Sequence, residues 1–197
     1  MAAMSRSVAQ LHHFSATFRP AADFVRPVYD DAWFFGPKTW NTDPDFVALL
    51  APDATAYLHK ANASIRDRLR NFPRNPNTFG LIHYDLHPGN FLFQENTARM
   101  LDFDECGFGF YLFDLAHVLF EFIDDLRFPE FRDLALAEYA AARSGAPVPA
   151  SDLQPFLALQ GIAYLNWLHR IFRRDGNTEA AAWWIPRIVQ RLQTVLV

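Results

Sequence analysis

The chain has a single cysteine, Cys106, in 197 residues. A lone thiol excludes an internal disulfide framework and fits a reducing compartment, the cytoplasm. Its neighbours Asp104 and Glu105 are expected to raise its pKa rather than activate it, so it reads as structural. No run approaches the roughly 18 apolar residues of a membrane span, and the first residues lack the apolar stretch of a secretory leader. The net charge is only −4 and no basic stripe occurs, which argues against nucleic acid as a partner. Lysine is nearly missing: Lys38 lies in a Gly-Pro-Lys turn, Lys60 lies within a helical pattern, and there is no third. The first glycine is Gly36, so no glycine-rich loop opens the chain. Hydrophobic residues, by contrast, make up 51% of the sequence and phenylalanine alone contributes 20, enough for a sizeable core in one domain, 1–197.

The informative stretch is His83-Tyr84-Asp85-Leu86-His87-Pro88-Gly89-Asn90, followed by Phe91-Leu92-Phe93 and, after a polar turn from Gln94 to Thr97, by Met100-Leu101-Asp102-Phe103-Asp104. It reads as a loop, an apolar strand, a tight turn and a second strand that ends on two alternating acids. Strands joined by a tight turn bring their far ends together, so Asn90 and Asp102 are expected side by side. An amide oxygen and a carboxylate are hard ligands suited to Mg²⁺. His83 and His87 raise a competing zinc reading, but Pro88 and Gly89 put them on a loop rather than on one helix face.

The stretch resembles the catalytic centre of kinases: His83, Asp85 and Asn90 match the H-x-D-x-x-x-x-N loop, and Asp102-Phe103-Asp104 stands in the D-F-G position. The His-Pro-Gly-Asn and Asp-Phe-Asp runs resemble more specifically the aminoglycoside phosphotransferase and choline kinase family, which phosphorylates small molecules. The resemblance is strongest from Gly80 to Phe122. It implies that Asp85 orients a substrate hydroxyl and takes its proton, that Asn90 and Asp102 hold Mg²⁺ on the phosphates of ATP with Asp104 as a further ligand, and that His83 buttresses the catalytic loop. It implies that Asp114 ties a helix to the loop backbone, beside its reading as an N-cap. Tyr84 departs from the family, which has a small residue or Arg there. The segment Met4 to Phe18 resembles a family helix that carries a leucine-histidine pair and runs toward the centre of the larger lobe.

The implied fold is α+β and mainly α-helical, a protein-kinase-like C-terminal lobe with a small β-hairpin carrying the catalytic and metal-binding loops. A complete kinase also needs a glycine-rich loop and a strand lysine on the phosphates. With neither visible, the nucleotide-gripping N-terminal lobe is expected to be absent, through truncation or because a second chain supplies it. Transfer by the chain alone is then expected to be weak or nil, and a face of the lobe is expected to be apolar enough for self-association. A non-catalytic binding module on the kinase fold is the alternative.

The remaining pattern is helical. Val8, Leu11 and Phe14 predict a helix from Ser5 to Phe18, with His12 and His13 on its surface or in helix packing and no acid beside them. Pro20 to Pro44 reads as an aromatic-anchored loop. Pro52 to Phe72 reads as a helix whose Arg66, Arg68 and Arg70 form a solvated basic face. Gly107 and Gly109 are expected in turns of a short activation segment. Asp114 is expected to open a helix, and another runs from Glu130 to Ser144 with Gly145 as its stop. Ala146 to Ala150 is a linker, Ser151 and Gln154 form a capping box, and Glu179 to Leu196 closes the chain with Pro186 inside it. Asn166, Trp167, His169 and Arg170 are positions from which C-terminal helices line an acceptor pocket in the resembling family.

Overall fold

The structure, a computed structural model, describes residues 1–143, 145 and 147–196. Ser144 and Ala146, the expected helix end and linker start, lie outside the described residues. The chain divides into two compact units, Met1–Tyr29 with Pro73–Leu157 and Asp30–Phe72 with Ala158–Val197.

The first unit is built on helix α1 (Ala2–Thr17). Its buried residues are Met4, Ser5, Ser7, Val8, Ala9, His12 and Ser15, whereas Phe14 is 53% exposed. The expected stripe through Val8, Leu11 and Phe14 is therefore displaced. Small side chains let neighbouring backbone approach α1 closely, and polar His12 is admitted because buried partners satisfy it. Strand β1 (Phe79–Ile82) leads into the loop, and β2 (Phe91–Gln94) and β3 (Thr97–Met100) follow as the expected hairpin. Phe91 pairs with Met100 and Gln94 with Thr97. The turn residue Glu95 has a φ of 52°, as such tight turns require.

The pair of glycines expected in turns lies instead in a strand, β4 (Gly107–Phe110), which runs antiparallel to β1 with Gly80 opposite Gly109 and Ile82 opposite Gly107. Space, not φ, selects glycine there. A Cβ on Gly107 would lie 2.6 Å from the Pro27 carbonyl oxygen and the Tyr29 ring, because Val28 bridges to Phe108 in parallel on that edge. A Cβ on Gly109 would meet only the Ile82 side chain and, more loosely, Tyr29. Gly107→Ala is accordingly expected to cost about 1–3 kcal/mol by overpacking against backbone, and Gly109→Ala less, since Ile82 can turn aside. Urea denaturation of both variants checks the order.

Helix α5 (Tyr111–Phe120) is buried along its whole length. It begins at Tyr111, with Phe110 in the cap position, so Asp114 is inside the first turns and not the N-cap. Helix α6 (Phe128–Ala142) packs on α1, and the Gly145 amide bonds the Ala140 carbonyl at 3.3 Å beyond its end. Helix α7 (Ala150–Asp175) starts one residue before Ser151, which therefore lies within its first turn and not in a capping box.

The second unit contains α2 (Asp31–Phe35) and a 3₁₀ turn (Trp40–Thr42) where a plain loop was expected, with α3 (Pro44–Val47) following at its end. Asp30 and Asp43 cap the two short helices with their side chains. Tyr29, Phe34 and Trp40 are buried, as the anchoring reading requires. Helix α4 (Pro52–Arg70) buries Leu58, Ala61, Asn62 and Ile65. Its basic run is not simply solvated: Arg66 Nε donates to Asp31 at 2.6 Å and Arg70 lies 3.7 Å from the same carboxylate, whose pKa the Arg66 bond lowers. Helix α8 (Thr178–Val195) is capped by Asn177 and buries Ala181, Ile185, Ile188, Leu192 and Val195.

Candidate active site

The loop between β1 and β2 is shaped from beneath by Asp114 of α5. One carboxylate oxygen accepts the His83 amide and the other the Tyr84 amide, each at 2.8 Å. Tyr84 takes up a φ of 75°, unusual for a bulky residue. The two bonds hold it there, as does a stack in which its ring lies 3.6 Å from that of Tyr29 and 5.3 Å from that of Phe113. The bulk of Tyr84, where the resembling family has a small residue or Arg, thus serves to dock the loop. Tyr29 in turn donates from its hydroxyl to the Glu105 carbonyl and from its amide to the Phe108 carbonyl, linking the loop to the segment that precedes β4.

Asp114 also meets His12 of α1, and the tautomer follows from the partners. The Asp114 carboxylate only accepts, so His12 Nε2–H donates to it at 3.0 Å; Nδ1 of the neutral ring then accepts from the Tyr139 hydroxyl at 2.8 Å, whose oxygen accepts from Arg143 at 2.8 Å. The expectation that no acid accompanies His12 fails because Asp114 is 102 positions away in sequence. Burial pulls the Asp114 carboxyl up, but the bonds it accepts from His12 and from the His83 amide outweigh it and leave the pKa lowered. Burial lowers the pKa of His12 despite Asp114, and keeps the ring neutral. It raises the Tyr139 hydroxyl. Cys106 is raised first by burial, with Asp104 a smaller contribution than the neighbouring acids were expected to make.

Above this base, Asn90 closes the loop. Its amide nitrogen donates to the Asp85 carbonyl at 2.8 Å and to Asp85 Oδ2 at 3.2 Å. With its NH₂ spent there, the atom Asn90 has left to offer a cation is its oxygen. The Asp85 side chain is 42% exposed, and the apolar neighbour Leu86 is fully buried as the anchor. Asn90 also accepts the Leu101 amide through its backbone carbonyl at 2.9 Å, which brings the start of the Asp102 loop to it. The second strand ends at Met100, however, so Asp102 and Asp104 stand on a loop and not on a strand end. A left-handed φ of 59° at Asp102 breaks the strand, and both acids are exposed.

His83 is buried and donates from Nε2 to the Leu101 carbonyl at 2.8 Å, with its ring 4.5 Å from that of Phe103. It thereby braces the backbone ahead of Asp102. His87 accepts the Gly89 amide on Nδ1. Each histidine of the zinc reading thus has a nitrogen committed, and among the described residues no three His, Cys, Asp or Glu side chains gather as a metal-binding group. In the second unit, Asn166 bonds the Trp40 amide and the Phe34 carbonyl, and His169 bonds Asp43 at 2.9 Å. Both hold the 34–43 segment, while Trp167 and Arg170 are exposed.

Sequence reading did not find His117, on α5. Its Nδ1 lies 2.9 Å from the Tyr84 carbonyl and its Nε2 3.9 Å from Asp85 Oδ1. The available signal was spacing: Asp114 and His117 are three apart on one helix and share a face.

Acid sensitivity follows from these buried groups. Burial lowers the pKa of both His12 and His117 below the ordinary 6.5. The unfolded chain therefore takes up protons first, and stability is full above about pH 6.5 and falls as pH drops toward the folded values. The melting temperature is expected to hold between about pH 8 and about pH 7 and to fall steadily below about pH 6.5. Calorimetry across that range checks it.

A mainly helical lobe with a paired β1/β4, a β2–β3 hairpin and this loop is that of a protein-kinase-like phosphotransferase. The chain belongs to the APH phosphotransferase enzyme family, whose family model matches residues 1–152. An amicoumacin kinase of Bacillus subtilis (strain 168) is 27% identical over 124 residues, which are 58% of this chain and 36% of that protein. Among solved structures, a microcompartment-associated aminopropanol kinase superposes with a TM-score of 0.71 at 23% identity, over 98% of this chain and 59% of that one. An amicoumacin kinase in complex with AMP-PNP, Ca²⁺ and Ami superposes with a TM-score of 0.65 at 19% identity, over 97% and 57%. The chain thus spans little more than half the length of these structures and about a third of the curated relative. No helix among the described residues is long and apolar enough to cross a membrane.

Proposed function

We propose that this chain is the acceptor- and metal-binding half of a kinase that moves a phosphoryl group from ATP to a hydroxyl of a small molecule. The observation that carries the reading is the clamp of Asn90 on Asp85, which fixes a half-exposed carboxylate on a hydrogen-bonded loop, while the Asn90 carbonyl holds the Leu101 amide just ahead of the exposed Asp102. Asp85 would orient the hydroxyl and take its proton. Asn90 and Asp102 would hold Mg²⁺, with Asp104 as a further oxygen ligand; their hard oxygens fit that ion. Bound Mg²⁺ supplies positive charge against that of the phosphates. His83 and Asp114 act through the backbone, by fixing where the Asp85 and Asp102 loops run.

The elements that grip the nucleotide phosphates are proposed to lie outside residues 1–197, on further chain or a second chain. Lys38 and Lys60 belong to the second unit, outside the strands, and the chain covers just over half of its structural neighbours. The cytoplasm, where ATP and Mg²⁺ are abundant, is the proposed location. Asp102→Asn is expected to weaken Mg²⁺-dependent AMP-PNP binding at least about tenfold by calorimetry and, since the side chain is exposed, to leave the melting temperature unchanged. Equal binding by the variant would refute the metal role of Asp102.

A further inference from the structure

The two oxygens of Asp85 lie in different surroundings. Oδ2 accepts from Asn90 at 3.2 Å and lies 3.9 Å from His87 Nε2. Oδ1 faces His117 Nε2, also at 3.9 Å. The His117 ring is buried, and its Nδ1 is bonded to the Tyr84 carbonyl. A carbonyl only accepts, so Nδ1 carries the proton and, in the neutral ring, Nε2 bears the lone pair on the side of Asp85. The helix that holds the amides of His83 and Tyr84 through Asp114 thus also holds the Tyr84 carbonyl, one turn later, and presents an acceptor next to the carboxylate.

Resting on the phosphotransferase reading, we propose that His117 is a positioning residue for Asp85, giving Oδ1 an adjoining acceptor for the proton that Asp85 takes from the substrate hydroxyl. The hydroxyl O–H bond breaks and the Asp85 O–H bond forms. The electron pair left on the substrate oxygen makes the new bond to phosphorus as the bond to the departing diphosphate oxygen breaks. Asp85 Oδ1–H is then a donor, and His117 Nε2 accepts from it. At 3.9 Å the two atoms are not yet bonded, and the bond forms as Asp85 takes the proton, with Oδ2 kept on Asn90. An imidazolium would instead donate to Oδ1 and occupy the oxygen that must take the proton. Burial opposes that form, while Asp85, Glu121 and Asp114 favour it; His87 lies at the other oxygen of Asp85, and the edge of Phe113 packs on the ring.

The test uses the whole chain labelled with ¹⁵N-histidine, with His117→Gln identifying the ring signals. The expected spectrum shows the Nδ1–H tautomer for His117, and Asp85→Asn, by removing the anion, lowers its titration midpoint by roughly one pH unit. An Nε2–H tautomer, or a midpoint that does not move, would overturn the proposal. In a transfer assay with a nucleotide-gripping lobe supplied, His117→Asn, which keeps only the Tyr84 bond, is expected to lose kcat roughly tenfold at unchanged acceptor KM, while His117→Gln, which reaches toward Asp85, recovers most of it. Equal losses in both variants reduce His117 to a structural role and overturn the proposal. Absence of transfer by every form, wild type included, counts against the phosphotransferase reading, while the spectra still decide whether His117 and Asp85 are coupled.

Discussion

Replacing Asp114 with alanine is expected to cost about 3–5 kcal/mol of folding stability, the scale for breaking a buried charged network from one side. The carboxylate is fully buried and receives His12 Nε2–H, the His83 amide and the Tyr84 amide. Alanine leaves all three donors without an acceptor in a water-free site, and each such loss carries a desolvation penalty of about 1–3 kcal/mol. It also releases Tyr84 from a left-handed conformation that a tyrosine adopts only when its surroundings impose it. A typical domain has only about 5–15 kcal/mol in total, so the variant would lie near the edge of folding at ordinary temperature. Asp114→Asn is expected to rescue only part of the loss, since its NH₂ faces donors. Urea denaturation measures both, and a cost for alanine below about 1 kcal/mol would contradict the network's role.

Asp85→Asn is expected to lower phosphoryl transfer by about 10²–10⁴-fold, the range for loss of a general base. The side chain is 42% exposed, and the amide can still meet Asn90 through its oxygen, so the fold should persist within about 0.5 kcal/mol, as for surface substitutions. A large loss of rate with an unchanged melting temperature separates a chemical role from a structural one. The same substitution at Asp114 should show the reverse pattern, with stability falling first.

The contrast between these two aspartates shows what the sequence could and could not reveal. Asp85, Asn90 and Asp102 stand at fixed local spacing, and the hairpin that brings Asn90 to Leu101 is visible in the apolar runs and the polar turn between them. The β1–β4 pair was hidden, because four-residue strands containing glycines look like turns until the neighbours that fill the space of the missing side chains are seen: Ser15 and Tyr111 at Gly80, Pro27 and Tyr29 at Gly107, Ile82 at Gly109. The His12–Asp114 pair is non-local, and nothing in the period of α1 marks His12 as fully buried. Asp102 was misplaced by only one element: a strand pattern cannot show a residue turning to positive φ just past its end. Asn166 and His169 illustrate the opposite error, since polar residues on a C-terminal helix suggested a pocket and instead hold the 34–43 segment.

The proposed role of Asp85 is phosphoryl transfer to a small-molecule hydroxyl. Its most direct test is transfer of labelled phosphate from ATP to a panel of amino alcohols, sugars and aminoglycosides, by the chain supplied with a nucleotide-gripping lobe, as wild type and as Asp85→Asn. Phosphorylated acceptor with the wild type, falling at least about a hundredfold in the variant, is the predicted result. Product formed at the same rate by both would contradict it.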